Sequence, residues 1–261
     1  KKNNYMKLIK YIFLIIISDL IICQNIKPQS WWTFDKVKKN ITIDKVNKIE
    51  DNIFGNYRVV KGVYGEAIFF DGYTTVIKRK SNLVPNINDV FTIEAWIAVA
   101  AYPWNWVPIV DLNNGILYGF DFSLGPRGEL RLSGAVDSRR HKLLVPAGTI
   151  PIKQWVHVAA RFDANGKLEI FKDGVLVGVK NVKKPPLFSG RNPTNKVQIP
   201  KDVDLLIGGI RKPLRPSSWI RFKGNRPSWF SFDGIMDEVK IYNNLLSNSE
   251  ILQNASVYSP G

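Results

Sequence analysis

The sequence predicts an all-β protein, and three observations predict it. Short alternating or β-branched runs recur between turn signals from Trp31 to Tyr242. No long segment carries the 3.6-residue period of a helix. The 261 residues are 45 % hydrophobic and 12 % aromatic, enough to fill one sizeable core, and a sandwich of this size commonly forms a single domain.

The first element is a leader. Residues 7–22 read KLIKYIFLIIISDLII, lysines followed by an apolar run, which is the layout of a secretory signal. The run is shorter than the ~20 residues that a membrane-spanning helix needs. Met6 is the expected start, and residues 1–30 are assigned to the leader. Leu20-Ile21-Ile22-Cys23 resembles a bacterial lipoprotein box, with Ile22 where a small residue belongs. The only membrane attachment expected is therefore a lipid anchor at Cys23, and the expected location is secreted or cell-surface.

The body, residues 31–255, contains no cysteine, so neither a disulfide framework nor a thiolate metal site can form there. Ala67–Phe70 reads as a strand entering the turn Asp71-Gly72. Over residues 90–99, Phe91, Ile93, Ala95, Ile97 and Val99 share one strand face, and the opposite face is also partly apolar. Trp155–Phe162, Lys167–Lys172 and Val175–Val179 read as a meander, with Asp173-Gly174 as a two-residue hairpin. Leu205–Ile207 ends at Gly208-Gly209. Ile235–Tyr242 is the last expected strand, with Ile235, Asp237, Val239 and Ile241 on one face. Ser247-Asn248-Ser249-Glu250 is a capping box and predicts one short C-terminal helical turn. Residues 256–261 are expected to start a linker or end the chain.

Five segments in order carry a family resemblance. They are Trp32-Thr33-Phe34-Asp35, Gly65 through Gly72, Phe91 through Ile97, Trp155 through Gly174, and Phe232 through Tyr242 with Leu246-Ser247 behind it. Together they resemble the laminin-G-like, concanavalin A-like lectin/glucanase jelly roll. The resemblance implies a two-sheet antiparallel jelly-roll β-sandwich. Tyr102-Pro103-Trp104-Asn105-Trp106, Ile210 through Pro213, and Trp229 through Gly234 are similar to segments of jelly rolls fused N-terminally to bacterial glycoside hydrolases. That likeness implies an accessory module, with polysaccharide or a downstream glycoside hydrolase domain as its partner.

Catalysis is not expected from this region. A concanavalin-type glycosidase needs two carboxylates flanking the scissile bond, and no E-x-D-x-E strand supplies them. Asp237 and Glu238 are adjacent, and Glu94 stands alone on its strand. His141 reads as part of a solvated basic loop, and His157 as a structural residue within a strand.

Without a Cys/His cluster, zinc is not expected. Calcium takes carboxylates and carbonyls, and the resemblance implies a structural calcium ion with Asp35 and Asp237 as ligands. A turn-capping role for Asp35 and amide bonding by Asp237 near Gly234 stand beside it.

Two loops hold the ingredients of a glycan site, aromatic rings with polar groups. One contributes Trp104 and Trp106, and the other contributes Arg211, Arg215 and Trp219, followed by Trp229. Guanidinium groups there could pair with carboxylate or sulfate. These loops are expected to meet in a site for anionic or furanose sugars, or else to dock a downstream domain. The formal net charge is +15, and +12 without residues 1–24. It favours anionic partners, although a biased composition rich in Lys, Asn and Ile is the preferred account of it. Nucleic acid is not an expected partner of a secreted chain.

Overall fold

The computed structural model describes residues 26–87, 90–114, 118–136, 139–163, 166–182, 200–211 and 230–258. The leader and Cys23 lie outside the described residues. The strands are β1 (Ser30–Trp32), β2 (Ile41–Ile43), β3 (Glu50–Phe54), β4 (Arg58–Lys61), β5 (Glu66–Asp71), β6 (Val76–Arg79), β7 (Phe91–Val99) and β8 (Val107–Asn113). They continue with β9 (Gly119–Leu124), β10 (Leu130–Val136), β11 (Arg139–Leu144), β12 (Trp155–Phe162), β13 (Lys167–Lys172), β14 (Val175–Asn181), β15 (Leu205–Ile207) and β16 (Asp233–Tyr242). Helix α1 (Asn248–Ser256) follows.

The strands form two antiparallel sheets. The first runs β14-β13-β12-β7-β16-β5-β4, with β1 also paired to β16; the second runs β11-β10-β9-β8-β15-β6-β3-β2. The core lies between them and confirms the alternation read from the sequence. Phe91, Ile93, Ala95, Ile97 and Val99 of β7 join Val156, Val158, Ala160 and Phe162 of β12 there. The Asp173-Gly174 turn forms with φ of 49° and 78°, the left-handed pair that a two-residue hairpin needs.

Three expectations are corrected. In β16 the core residues are Met236, Val239 and Ile241, so Ile235 and Asp237 do not share the face of Val239 and Ile241. A bulge between Asp237 and Lys240, with Glu238 at φ 52°, inserts a residue and shifts the alternation. It sits where the neighbour of β16 changes from β5 to β1. Arg139 through Lys142 belong to strand β11, paired with β10, rather than to a loop. The C-terminal helix is nine residues long, not a single turn. Its capping box forms as read. Ile251, fully buried with Phe171, Tyr242 and Leu246, then anchors the helix on the outer face of the first sheet. Burial of one such side chain stabilises by about 1.5–3 kcal/mol.

One buried ion cluster ties the sheets together. Arg79 donates to Asp51 and Asp44 of the second sheet's edge and to Ser30 of β1, at 2.6–3.1 Å. Its guanidinium lies over the Trp32 ring, whose indole N–H also reaches Asp51.

Candidate functional site

The outer face of the second sheet carries an open groove across β8, β9, β10 and β11. It encloses about 250 Å³. Antiparallel pairing and period-two alternation build it. Asp111 and Asn113 on β8, Asp121 and Ser123 on β9, Arg131 and Ser133 on β10, and Arg140 and Lys142 on β11 all point outward into the lining. Trp106 closes one side and Ile210 with Arg211 another. Past Ile210 and Arg211 the surface continues as a second hollow of about 260 Å³ beside Phe54, Lys78 and Leu206.

The groove's charges are arranged in layers. Asp111 and Asp121 are direct cross-strand partners. Arg131 donates to Asp121 at 2.7 Å and Arg140 at 3.3 Å. Ser123 adds a hydroxyl bond to Asp121 at 2.8 Å. Asp111 pairs with Arg211 Nε at 3.1 Å and accepts from the Asn113 amide. Burial pushes the Asp111 carboxyl up to about 6, with Arg211 opposing and Asp121 assisting. Arg131 also covers the Trp106 ring at 4.5 Å. Gly125 leaves room for that ring, because a Cβ there would lie 2.9 Å from it.

The structure brings some of the sequence candidates together. Trp106 and Arg211 line the same groove. Next to Trp106, Asn105 accepts from the Phe230 amide at 2.8 Å and donates to its carbonyl at 3.3 Å. Trp104 stands outside the groove's lining and is 64 % exposed. Arg215, Trp219 and Trp229 lie outside the described residues.

Asp111, Asp121, Arg131 and Arg140 were missed by the sequence reading. It sought carboxylates along one strand, whereas these meet across neighbouring strands. The signal was present as the i, i+2 polar pairs Asp111/Asn113, Asp121/Ser123 and Arg131/Ser133 on successive strands.

Asp35 and Asp237 converge on one turn, residues 62–65. Asp35 accepts from the Glu66 amide at 3.0 Å and Asp237 from the Tyr64 amide at 3.2 Å. Cβ atoms on Gly62 and Gly65 would strike the Asp237 and Asp35 carboxylates at 2.3 and 2.0 Å. Asp237 also accepts from the amide of Glu238, rather than from amides near Gly234. Burial first, then the neighbouring Glu238, pushes the Asp237 carboxyl up to about 7. A calcium ion at this turn would need hard oxygen donors, and the two carboxylates are the acidic ones that the sequence offered for it. Among the described residues, no three His, Cys, Asp or Glu side chains gather into a metal site. Carbonyls or water would have to complete the shell.

On the first sheet the outer polar residues are covered instead. Glu94 and His157 lie under α1 and the chain that follows it, and Glu94 accepts from Tyr242 and Asn254. A cavity of about 600 Å³ lies beside α1 and includes Trp31. The indole N–H of Trp31 goes to Glu238, and the ammonium groups of Lys45 and Lys240 sit over its ring.

Comparison with curated protein sequences gave no match. Solved structures do match. Domain 4 of a GH43 extracellular arabinanase from Geobacillus stearothermophilus, solved with arabinotriose, aligns at 18 % identity and a TM-score of 0.61, over 88 % of this chain and 98 % of that one. The binding domain of Paraclostridial Mosquitocidal Protein 1 aligns at 15 % identity and a TM-score of 0.61, over 87 % of this chain and 51 % of that one. A Trypanosoma rangeli sialidase aligns at 16 % identity and a TM-score of 0.57, over 87 % of this chain and 32 % of the enzyme. At these identities the likeness establishes the fold. A laminin G family profile matches residues 71–204, just over half of the sequence. By that match and by its two-sheet sandwich, the chain belongs to the concanavalin A-like lectin/glucanases superfamily.

Proposed function

We propose that this is a non-catalytic, extracellular carbohydrate-binding module whose groove on the second sheet takes a stretch of glycan, and that it serves a glycoside hydrolase. The observation that carries the reading is the contrast between sheet faces. One is covered by α1, while the other presents Trp106, serines, carboxylates and guanidiniums around an open cavity. Such a mix of ring, polar and charged groups is what fixes a ligand's orientation. The alignment with a whole domain of an arabinanase supports the accessory role. Both groove carboxylates are engaged by guanidinium, which disfavours an acid/nucleophile pair in hydrolysis.

Calcium held by Asp35 and Asp237 belongs to the same reading as a structural ion. It would neutralise two carboxylates at the turn between β4 and β5. Calcium should raise the melting temperature and chelator reverse the rise, and Asp237→Asn should remove that response. A melting temperature indifferent to calcium would discard the ion.

The groove is tested by affinity electrophoresis through levan, inulin, arabinan, xylan, polygalacturonate and a sulfated galactan. Retardation by at least one glycan is expected, lost in Trp106→Ala and kept in Trp104→Ala. A second reading rests on Trp104, whose exposure suits docking against another domain. Unretarded migration of folded protein in every gel would favour docking over glycan binding.

A further inference from the structure

The side chains in the groove do not offer hydrogen-bonding capacity evenly. The carboxylate acceptors are engaged. Asp121 Oδ2 accepts from Ser123, Arg131 Nε and Arg131 Nη2, and its Oδ1 accepts from Arg140. Asp111 Oδ1 accepts from the Asn113 backbone and side-chain amides, and its Oδ2 faces Arg211. The Ser133 hydroxyl accepts from Arg140. The donors are not exhausted. Among the described residues, Arg131 Nη1, Arg211 Nη1 and the Lys142 ammonium have no partner, and a guanidinium carries five N–H groups.

Depth separates the charges in the same sense. Both aspartate side chains are 8 % exposed, whereas Arg131 is 18 % and Arg211 27 % exposed. Lys142 is exposed. The acids form the floor and the cations form the rim. A neutral sugar hydroxyl needs acceptors as well as donors, and this floor has few left to give. An oxyanion needs donors alone, and guanidinium presents them in a paired fork.

Resting on the glycan-binding reading above, we infer that this groove selects glycans bearing anionic groups, carboxylate or sulfate, over their neutral counterparts. Arg211 and Lys142 are the residues that meet the anion, and Arg131 assists from its place over Trp106. The second hollow beside Phe54 then accommodates adjoining sugars of the same chain.

The test measures binding of the full chain to matched pairs of glycans. Polygalacturonate is compared with its fully methyl-esterified form, and a sulfated galactan with its desulfated form. Polyglutamate serves as a non-sugar polyanion. At least one charged member of a pair should bind at least about tenfold tighter than its neutralised partner, the size of one charge-assisted contact. The pair that does so identifies carboxylate or sulfate. Arg211→Gln should erase most of that preference. Lys142→Gln, on an exposed side chain that leaves the fold intact, should lower it by a few-fold.

Equal binding of both members of each pair, still lost in Trp106→Ala, would overturn the anion preference and leave the glycan reading standing. So would a preference unchanged in both Arg211→Gln and Lys142→Gln. Polyglutamate bound as tightly as polygalacturonate would overturn the glycan reading itself, as would failure of folded protein to bind any of them.

Discussion

The molecule contains the same device twice, an arginine over a tryptophan ring and paired with aspartate, in opposite settings. Arg79 lies over Trp32 and pairs with Asp51 and Asp44 between the sheets, and Arg131 lies over Trp106 and pairs with Asp121 on an open face. In both, the guanidinium carbon is 4.5 Å from the ring centre. The difference lies in what remains to be bonded. Arg79 is 1 % exposed, and all three of its nitrogens are engaged. Arg131 keeps one terminal nitrogen toward the groove. The first cluster is scaffold, because nothing else can reach it. The second has the same chemistry with a vacancy for a ligand, and the proposed function rests on that vacancy.

The largest expected effect is at the buried member. Arg79→Met should destabilise the fold by about 3–5 kcal/mol, since Asp44 and Asp51 would remain buried without their cation. Urea unfolding measures it, and a loss below about 1 kcal/mol would remove the distinction between the clusters.

The covered face of the first sheet sharpens the comparison through pH. Burial pushes the Glu94 carboxyl up to about 7 from an ordinary 4.5. The folded state therefore holds a proton that the unfolded state releases, and Glu94 lowers stability as pH rises from about 4.5 to about 7. Glu94→Gln should leave stability near pH 4.5 unchanged and raise it by up to roughly 3 kcal/mol near pH 8. An identical pH slope in wild type and variant would contradict the burial argument.

Smaller effects are expected in the open groove. Arg131→Met should cost at most about 1 kcal/mol of stability, because Arg140 and Ser123 still serve Asp121 and the site is partly solvated. It should nonetheless weaken glycan binding about tenfold. A stability loss as large as that of Arg79→Met would make both clusters scaffold.

The smallest effect is a pH trend in binding. Asp111 faces Asp121, Arg140 and Arg211, and takes up a proton near 6. Affinity for a charged glycan should rise a few-fold as pH falls from about 7 to about 5, because the floor loses a negative charge. Calorimetric titration at both pH values measures it, and a fall in affinity would contradict the arrangement.

Most of the architecture was legible in the sequence because period-two alternation is local. The faces of β7 and β12 and the Asp173-Gly174 turn needed nothing beyond their own residues. The phase of β16 was not legible, since its bulge depends on an exchange of neighbours from β5 to β1. For the groove, local reading reached Trp106 and Arg211 through their aromatic and basic loops. It did not reach Asp111, Asp121, Arg131 and Arg140, which become a cluster only when β8 to β11 are paired in register. A cross-strand site is a property of the register, and no single segment carries it.

The most direct test of the account follows the arginine Nε–H resonances by NMR during titration with an oligogalacturonide or a sulfated galactan oligosaccharide. Arg131 and Arg211 should shift in a saturable way while Arg79 stays fixed, which would place the ligand on the open cluster. A bound ligand that leaves Arg131 and Arg211 unmoved would contradict the groove as the site.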